Sequence, residues 1–169
     1  EDADGSSAIV LAATAGHLSA VKFLVEHKAD VDKEDVHGET LLHRAVRSCE
    51  TDPAVWITAS ACDPDAISIK RLTPLMLAAL QGCVQCLRKV LDFGALINLR
   101  RADLTALHAA VWNGNSQAVQ LLLERKADST QKLQSGDFQG VSLVGYTALD
   151  VAQMLNVRAL VPMLQVRCC

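Results

Sequence analysis

Three kinds of side chain in this sequence are of types that do chemistry: imidazoles, paired thiols and paired cations. His43 and His108 stand in Thr40-Leu-Leu-His43 and Thr105-Ala-Leu-His108. A metal role would require carboxylate or cysteine ligands at suitable spacing, and neither histidine has them. Cys83-Val-Gln-Cys86 is a CxxC at the start of a helical stretch, where thiol pKa values can fall. A redox CxxC wants a strand-to-helix context, and a zinc site wants a second pair. The only other close pair, Cys168-Cys169, lies at the far end of the sequence. Cys83 and Cys86 therefore read as small buried residues. Cys168-Cys169 lacks a CaaX pattern, so acylation is the lesser reading there. Lys70-Arg71 and Arg100-Arg101 are basic pairs suited to a phosphate or an acidic partner. Asp63, Asp65 and Asp103 nearby favour a solvated rim of mixed charge. There is no phosphate-binding glycine loop, no dinucleotide fingerprint and no nucleophile elbow. The sequence predicts no catalytic residue, no cofactor, no metal and no small-molecule substrate.

The elements that hold these residues are short apolar helices in pairs. Thr105 can cap a helix by accepting from an unpaired first-turn N–H. Leu107, Ala109 and Ala110 allow close approach of a second helix, and Gly114 suits the left-handed stop after the first. Val119, Leu122 and Leu123 recur at i, i+3 and i+4, the buried face of that second helix. One such hairpin cannot bury its own apolar face, so neighbours must stack on it.

Those neighbours are present at Ser7-Ala-Ile-Val-Leu-Ala-Ala13, Thr40-Leu-Leu-His-Arg-Ala-Val46, Thr73-Pro-Leu-Met-Leu-Ala-Ala79 and Thr147-Ala-Leu-Asp-Val-Ala152. Starts at 7, 40, 73, 105 and 147 give intervals of 33, 33, 32 and 42. This pattern resembles the ankyrin repeat, with its period of about 33 and its Thr-Pro-Leu-His-x-Ala signature. The resemblance implies an all-α solenoid of stacked helix-turn-helix units with short β-hairpin-like fingers. It also implies a structural role for His43 and His108, whose rings would tie a helix start to a neighbouring loop. His17 matches the Gly-His turn of the family. The expected repeats are about 2–34, 35–67, 68–100, 101–133 and 142–169, forming one array over 1–169, with an inserted loop at about 129–145.

Composition agrees with such an array. Half of the 169 residues are hydrophobic and only 4% aromatic, so the core must be Leu, Val, Ile and Ala. A net charge of −3 argues against nucleic acid as partner. Six cysteines in no evident disulfide framework suggest a reducing compartment, cytoplasmic by default and organellar if a targeting segment precedes Glu1. No apolar run is long enough to span a membrane. Mean hydropathy of +0.21 is high for a helical array, and Ala8–Ala15 is apolar almost all round. Either more repeats precede Glu1 or another protein covers this end.

Individual repeats depart from the pattern in readable ways. Lys28 stands where the family usually has Gly, at a cost of roughly 1 kcal/mol in left-handed geometry. Cys49 likewise replaces a turn Gly. Ala54–Ser60 is strand-like in propensity but is kept helical by the intact register on both sides. Pro74 fits a first helical position, Asn156 a left-handed turn, and Pro162 should shorten or bend the last helix.

The ankyrin family varies the positions just before the Thr and just after the Ala-Ala pair, and these line its binding groove. Here they are Thr14 and Ala15; Glu39, Arg47 and Ser48; Leu72, Leu80 and Gln81; Leu104, Trp112 and Asn113; Tyr146, Met154 and Leu155. Leu72, Leu80, Leu104, Trp112, Tyr146, Met154 and Leu155 would be apolar anchors, types enriched at interface centres. Arg47, Lys70, Arg71, Arg100 and Arg101 would supply register and steering, and Phe138 in the insertion a second contact. Three classes of function fit: an adaptor binding one protein partner, an accessory subunit of a larger complex, and the repeat segment of a larger enzyme, channel or signalling protein.

Overall fold

The computed structural model describes residues 7–15, 17–49, 56, 59, 61–101, 104–134, 137–138, 141–142 and 144–165. Its chain divides into two compact units, Glu1–Pro74 and Leu75–Cys169.

The first unit contains α1 (Ala8–Thr14), α2 (Leu18–Glu26) and α3 (Leu41–Arg47). Helices α1 and α2 pack on each other, with Ile9, Val10, Ala13 and Val21 buried. Leu41, Leu42, Ala45 and Val46 carry the buried face of α3. Trp56 and Ala59 are both helical and buried, three residues apart, as the 33-residue register requires; the rest of 50–60 lies outside the described residues. Two fingers precede helices. In one, Gly38 N–H donates to the Asp35 carbonyl and Asp35 N–H to that of Glu39. In the other, Arg71 N–H donates to Ser68 and Ser68 N–H to Leu72. The fingers touch where Ile69 N–H donates to the His37 carbonyl at 3.0 Å. Gly38 permits this approach: a Cβ there would sit 3.0 Å from Ile69 N, and its φ is +65°.

The second unit holds α4 (Pro74–Gln81) from its second residue, Leu75, and continues through α5 (Val84–Asp92), α6 (Ala106–Trp112) and α7 (Ser116–Glu124). Helices α8 (Ala148–Met154) and α9 (Val161–Gln165) complete it. Pro74 is the first residue of α4, where its missing N–H costs nothing. Helix α6 packs on α7 and α8, α5 on α7, and α8 on α9. Small Ala109 and Ala110 are fully buried beside Leu107, Val119 and Leu122, so helix axes come close and no aromatic is needed. Pro162 is the second residue of α9, which is only five residues long. The insertion forms more than a loop: β1 (Asp137–Phe138) pairs antiparallel with β2 (Val141–Ser142).

Helix ends share one device. After α2, α4, α5, α6, α7 and α8 comes a residue at positive φ: Lys28, Gly82, Gly94, Gly114, Lys126 and Asn156. The next N–H then reaches the carbonyl five residues back, as Ala29 does to Leu24 and Ala127 to Leu122. Cys49 after α3 is also left-handed. The side chains at Lys28, Cys49 and Lys126 thus sit where Gly is cheapest, at about 1 kcal/mol or more each.

Candidate functional site

The histidines are structural. Thr40 N–H donates to His43 Nδ1 at 3.3 Å, which leaves the ring proton on Nε2, and Nε2 donates to the Leu72 carbonyl at 3.0 Å. The ring so links the start of α3 to the second finger, and burial lowers its pKa. His108 meets the Thr105 hydroxyl at 2.8 Å while its own N–H donates back to that oxygen. Burial pushes the His108 pKa down to about 4, although the carbonyls of Tyr146 and Gln131 favour the protonated ring. At the same register Asp150 accepts from Thr147 N–H (2.8 Å) and from its hydroxyl (2.7 Å). Those bonds hold the Asp150 carboxyl below the usual range.

The thiols need one correction. Cys83 and Cys86 are buried as expected, with sulfurs 2.8 Å apart. Cys83, however, is disulfide-bonded, so the reading of cysteines without disulfides does not hold at Cys83. Burial raises the Cys62 thiol to about 12 and keeps it inert. Cys168 and Cys169 lie outside the described residues.

The first unit presents its cations at one cleft. Arg47 Nε donates to Glu39 Oε2 at 3.0 Å and Nη2 to Oε1, a bidentate pair that raises the Arg47 pKa. Arg47 is therefore engaged by its own chain, because Glu39 at 6% exposure requires a partner. Lys70 and Arg71 are exposed at the finger tip, Arg71 with φ +60°, and Leu72 is half-buried beside them.

In the second unit, Leu80, Trp112, Tyr146 and Leu155 are half-buried and Met154 is 40% exposed. Leu104 is different: it bridges Arg101 through two backbone hydrogen bonds, of 2.9 and 3.0 Å, and is buried to 5% exposure. It is a core residue and offers no surface anchor. Asn113 is exposed, but its Nδ2 donates to the Leu80 carbonyl at 2.7 Å. Arg100 is exposed and reaches the Lys132 carbonyl at 3.4 Å; Arg101 is half-buried. Phe138 lies in β1, and its side chain is outside the described residues, as is Asp103. Val144, Gly145, Tyr146, Asp150, Gln153 and Met154 line a depression of about 400 Å³. Register counting missed Val144, 56% exposed, because it belongs to the insertion and has no counterpart elsewhere. It also missed Asn115, whose Nδ2 donates to the carbonyls of Ala79 (2.8 Å) and Leu80 (2.9 Å) at the end of α4.

Comparison with known proteins gives a consistent result. The family model described as ankyrin repeats (3 copies) matches residues 1–68 and 50–132. The B-cell lymphoma 3 protein homolog of Mus musculus is 30% identical over 164 residues, covering 91% of this chain and 37% of that protein. Palmitoyltransferase AKR1 of Lachancea kluyveri is 29% identical over 130 residues, covering 74% of this chain and 18% of the relative. L-asparaginase of Dirofilaria immitis is 36% identical over 129 residues, covering 75% of this chain and 22% of the relative. The chain thus spans well under half the length of each of these relatives. No helix among the described residues is long and apolar enough to cross a membrane.

Proposed function

Because the chain belongs to the ankyrin-repeat family, whose repeats are protein-interaction modules, we propose that it binds a partner protein and contributes no catalysis of its own. The observation that carries this reading is the depression in the second unit. Val144 (56% exposed), Tyr146 and Met154 (40% exposed) give it an apolar rim, while Asp150 is pinned by Thr147 and stays ionised. Apolar and aromatic side chains around a fixed polar group are the makings of an anchor pocket. Trp112, half-buried, would add area within the same unit, and Leu80 and Leu155 would contribute their exposed edges. The partner would insert an apolar residue there, within a stable complex in which this chain is an accessory component.

A second reading is favoured by the comparisons: the chain as the repeat segment of a larger enzyme or signalling protein. It rests on the small share of the relatives named palmitoyltransferase and L-asparaginase that this chain covers, 18% and 22%. Both readings make the repeats a binding surface; they differ in whether the partner is joined covalently.

Affinity purification of the tagged chain tests the site. Met154→Lys and Trp112→Ala should each deplete the co-purifying proteins while leaving thermal stability nearly unchanged. Retention of the same partners at wild-type levels by both variants would remove the basis of the proposal. Loss of stability equal to loss of binding in Trp112→Ala would make Trp112 a core residue.

A further inference from the structure

Resting on the interaction reading above, we infer that the cleft between the two fingers and α3 in the first unit docks a carboxylate-rich linear segment of a partner protein that also carries an apolar residue. The cleft holds about 360 Å³. Its two carboxylates are turned to internal use. Asp35 Oδ1 accepts from His37 N–H (2.8 Å) and Glu39 N–H (2.9 Å), and Oδ2 lies 4.0 Å from Arg44 Nε; Glu39 is taken by Arg47. The side chains of Asp35 and Glu39 are only 5% and 7% exposed, whereas those of Arg44 and Arg47 are 30% and 46% exposed. Lys70 stands exposed on the same cleft and makes no ion pair among the described residues. What solvent meets is therefore cationic, although the formal charges nearly balance.

The cationic face is held rigidly. The Ile69–His37 hydrogen bond, the Arg71–Ser68 turn and the His43–Leu72 bond fix the finger that carries Lys70, so little freedom is lost on binding. Ile69 at 70% exposure and Val36 at 57% give the fingers an apolar surface that a highly hydrated polyanion would not use. The chain's net charge of −3 and the buried Asp35 and Glu39 weigh in the same direction, against nucleic acid. A protein segment alternating acidic and apolar residues fits both features, its carboxylates on Lys70 and the guanidinium edges and its apolar side chain on Ile69.

The test uses fluorescence anisotropy of the 169-residue chain with a fluorescein-labelled synthetic peptide alternating Glu and Leu, its Gln/Leu twin, and oligothymidylate as competitor. The Glu peptide should bind, the Gln twin at least tenfold more weakly, and affinity should fall steeply with salt. Lys70→Glu should weaken binding by about tenfold or more with an unchanged melting temperature, since like charges then face each other. Ile69→Ser should weaken it by roughly threefold, as loss of a partly buried aliphatic contact does. Equal binding of the two peptides, no binding of either, indifference to Lys70→Glu, or equally effective displacement by oligothymidylate would each overturn the inference. In the affinity purification, partners kept by Lys70→Glu but lost by Met154→Lys overturn this docking alone. Partners kept by both overturn the interaction reading itself.

Discussion

Mild acid should destabilise this protein through His108, and the size of the effect follows from where the ring sits. The imidazole is buried in the second unit, held by Thr105, and its pKa falls from 6.5 to about 4 because burial disfavours the charged form. Above pH 6.5 the ring is neutral folded or unfolded, and its contribution to stability is fully present. Between 6.5 and about 4 the unfolded chain takes up a proton that the folded chain refuses, so stability falls as pH falls. Below about 4 both states are protonated and the loss is complete. Each unit of pKa difference is worth 1.36 kcal/mol, so the whole window corresponds to about 3 kcal/mol. Asp128 and Asp150, whose pKa values are lowered, lose their contributions only below the ordinary carboxylate range and so fall outside this window.

The assay compares urea unfolding of the wild type and His108→Gln from pH 7.5 to 4.5, using the difference in slope. His43, also lowered by burial, and every carboxylate are common to both proteins and cancel. The wild type should lose up to about 3 kcal/mol more than the variant across the window, with a slope difference near 1.4 kcal/mol per pH unit at its steepest. The imidazole ring signals of His108 should titrate with a midpoint near 4. Parallel pH profiles, or a midpoint near 6.5, would refute the reasoning and place water or an anion beside the ring.

Four substitutions probe the helix ends, each read by thermal or urea unfolding. Gly82→Ala should cost roughly 2–4 kcal/mol, because φ is +73° and the new Cβ would meet Asn115 Oδ1 at 2.8 Å, displacing its bonds to α4. Gly94→Ala, at φ +95° with nothing within 4 Å, should cost only about 1 kcal/mol; equal losses would mean that crowding at Gly82 is absent. Lys126→Gly should raise stability by roughly 0.5–1 kcal/mol by relieving left-handed strain at φ +66°, and a loss would show that the lysine stem packs usefully. Asn115→Ala should destabilise by about 1–3 kcal/mol, since the Ala79 and Leu80 carbonyls lose a shared donor; an unchanged melting point would mean water replaces it fully.

Most of the fold was legible because its determinants are local. Thr at the cap, an apolar face at i, i+3 and i+4 and a left-handed residue after each helix recur within single repeats, so spacing alone places them. Even the exceptions were readable: Lys28 and Asn156 take the left-handed geometry that their positions demand. The site was less legible, because exposure depends on contacts that spacing does not encode. Leu104 shares its register with Leu72, yet Leu104 is buried while Leu72 is half-buried. Glu39 and Arg47 are eight residues apart, neither on one helical turn nor in one strand, and meet only because a finger folds back on α3. Val144 lies in an insertion without a repeat counterpart, so no register could nominate it.

The register that sequence reading singled out for chemistry is better understood as a variable joint. It carries His43, Met76, His108 and Asp150 in successive repeats. An imidazole offers two nitrogens on opposite sides, so His43 can accept from its own helix cap through Nδ1 and still donate to the Leu72 carbonyl. The Met76 thioether fills the same kind of buried space at 1% exposure but has no N–H to donate. The Asp150 carboxylate meets the cap through Oδ2, in bonds local to Thr147. Imidazole and carboxylate both meet the helix cap, and at His43 the second ring nitrogen also joins it to the following finger. The finger so joined is the one carrying Lys70, which ties the rigidity of the cationic cleft to the buried ring of His43.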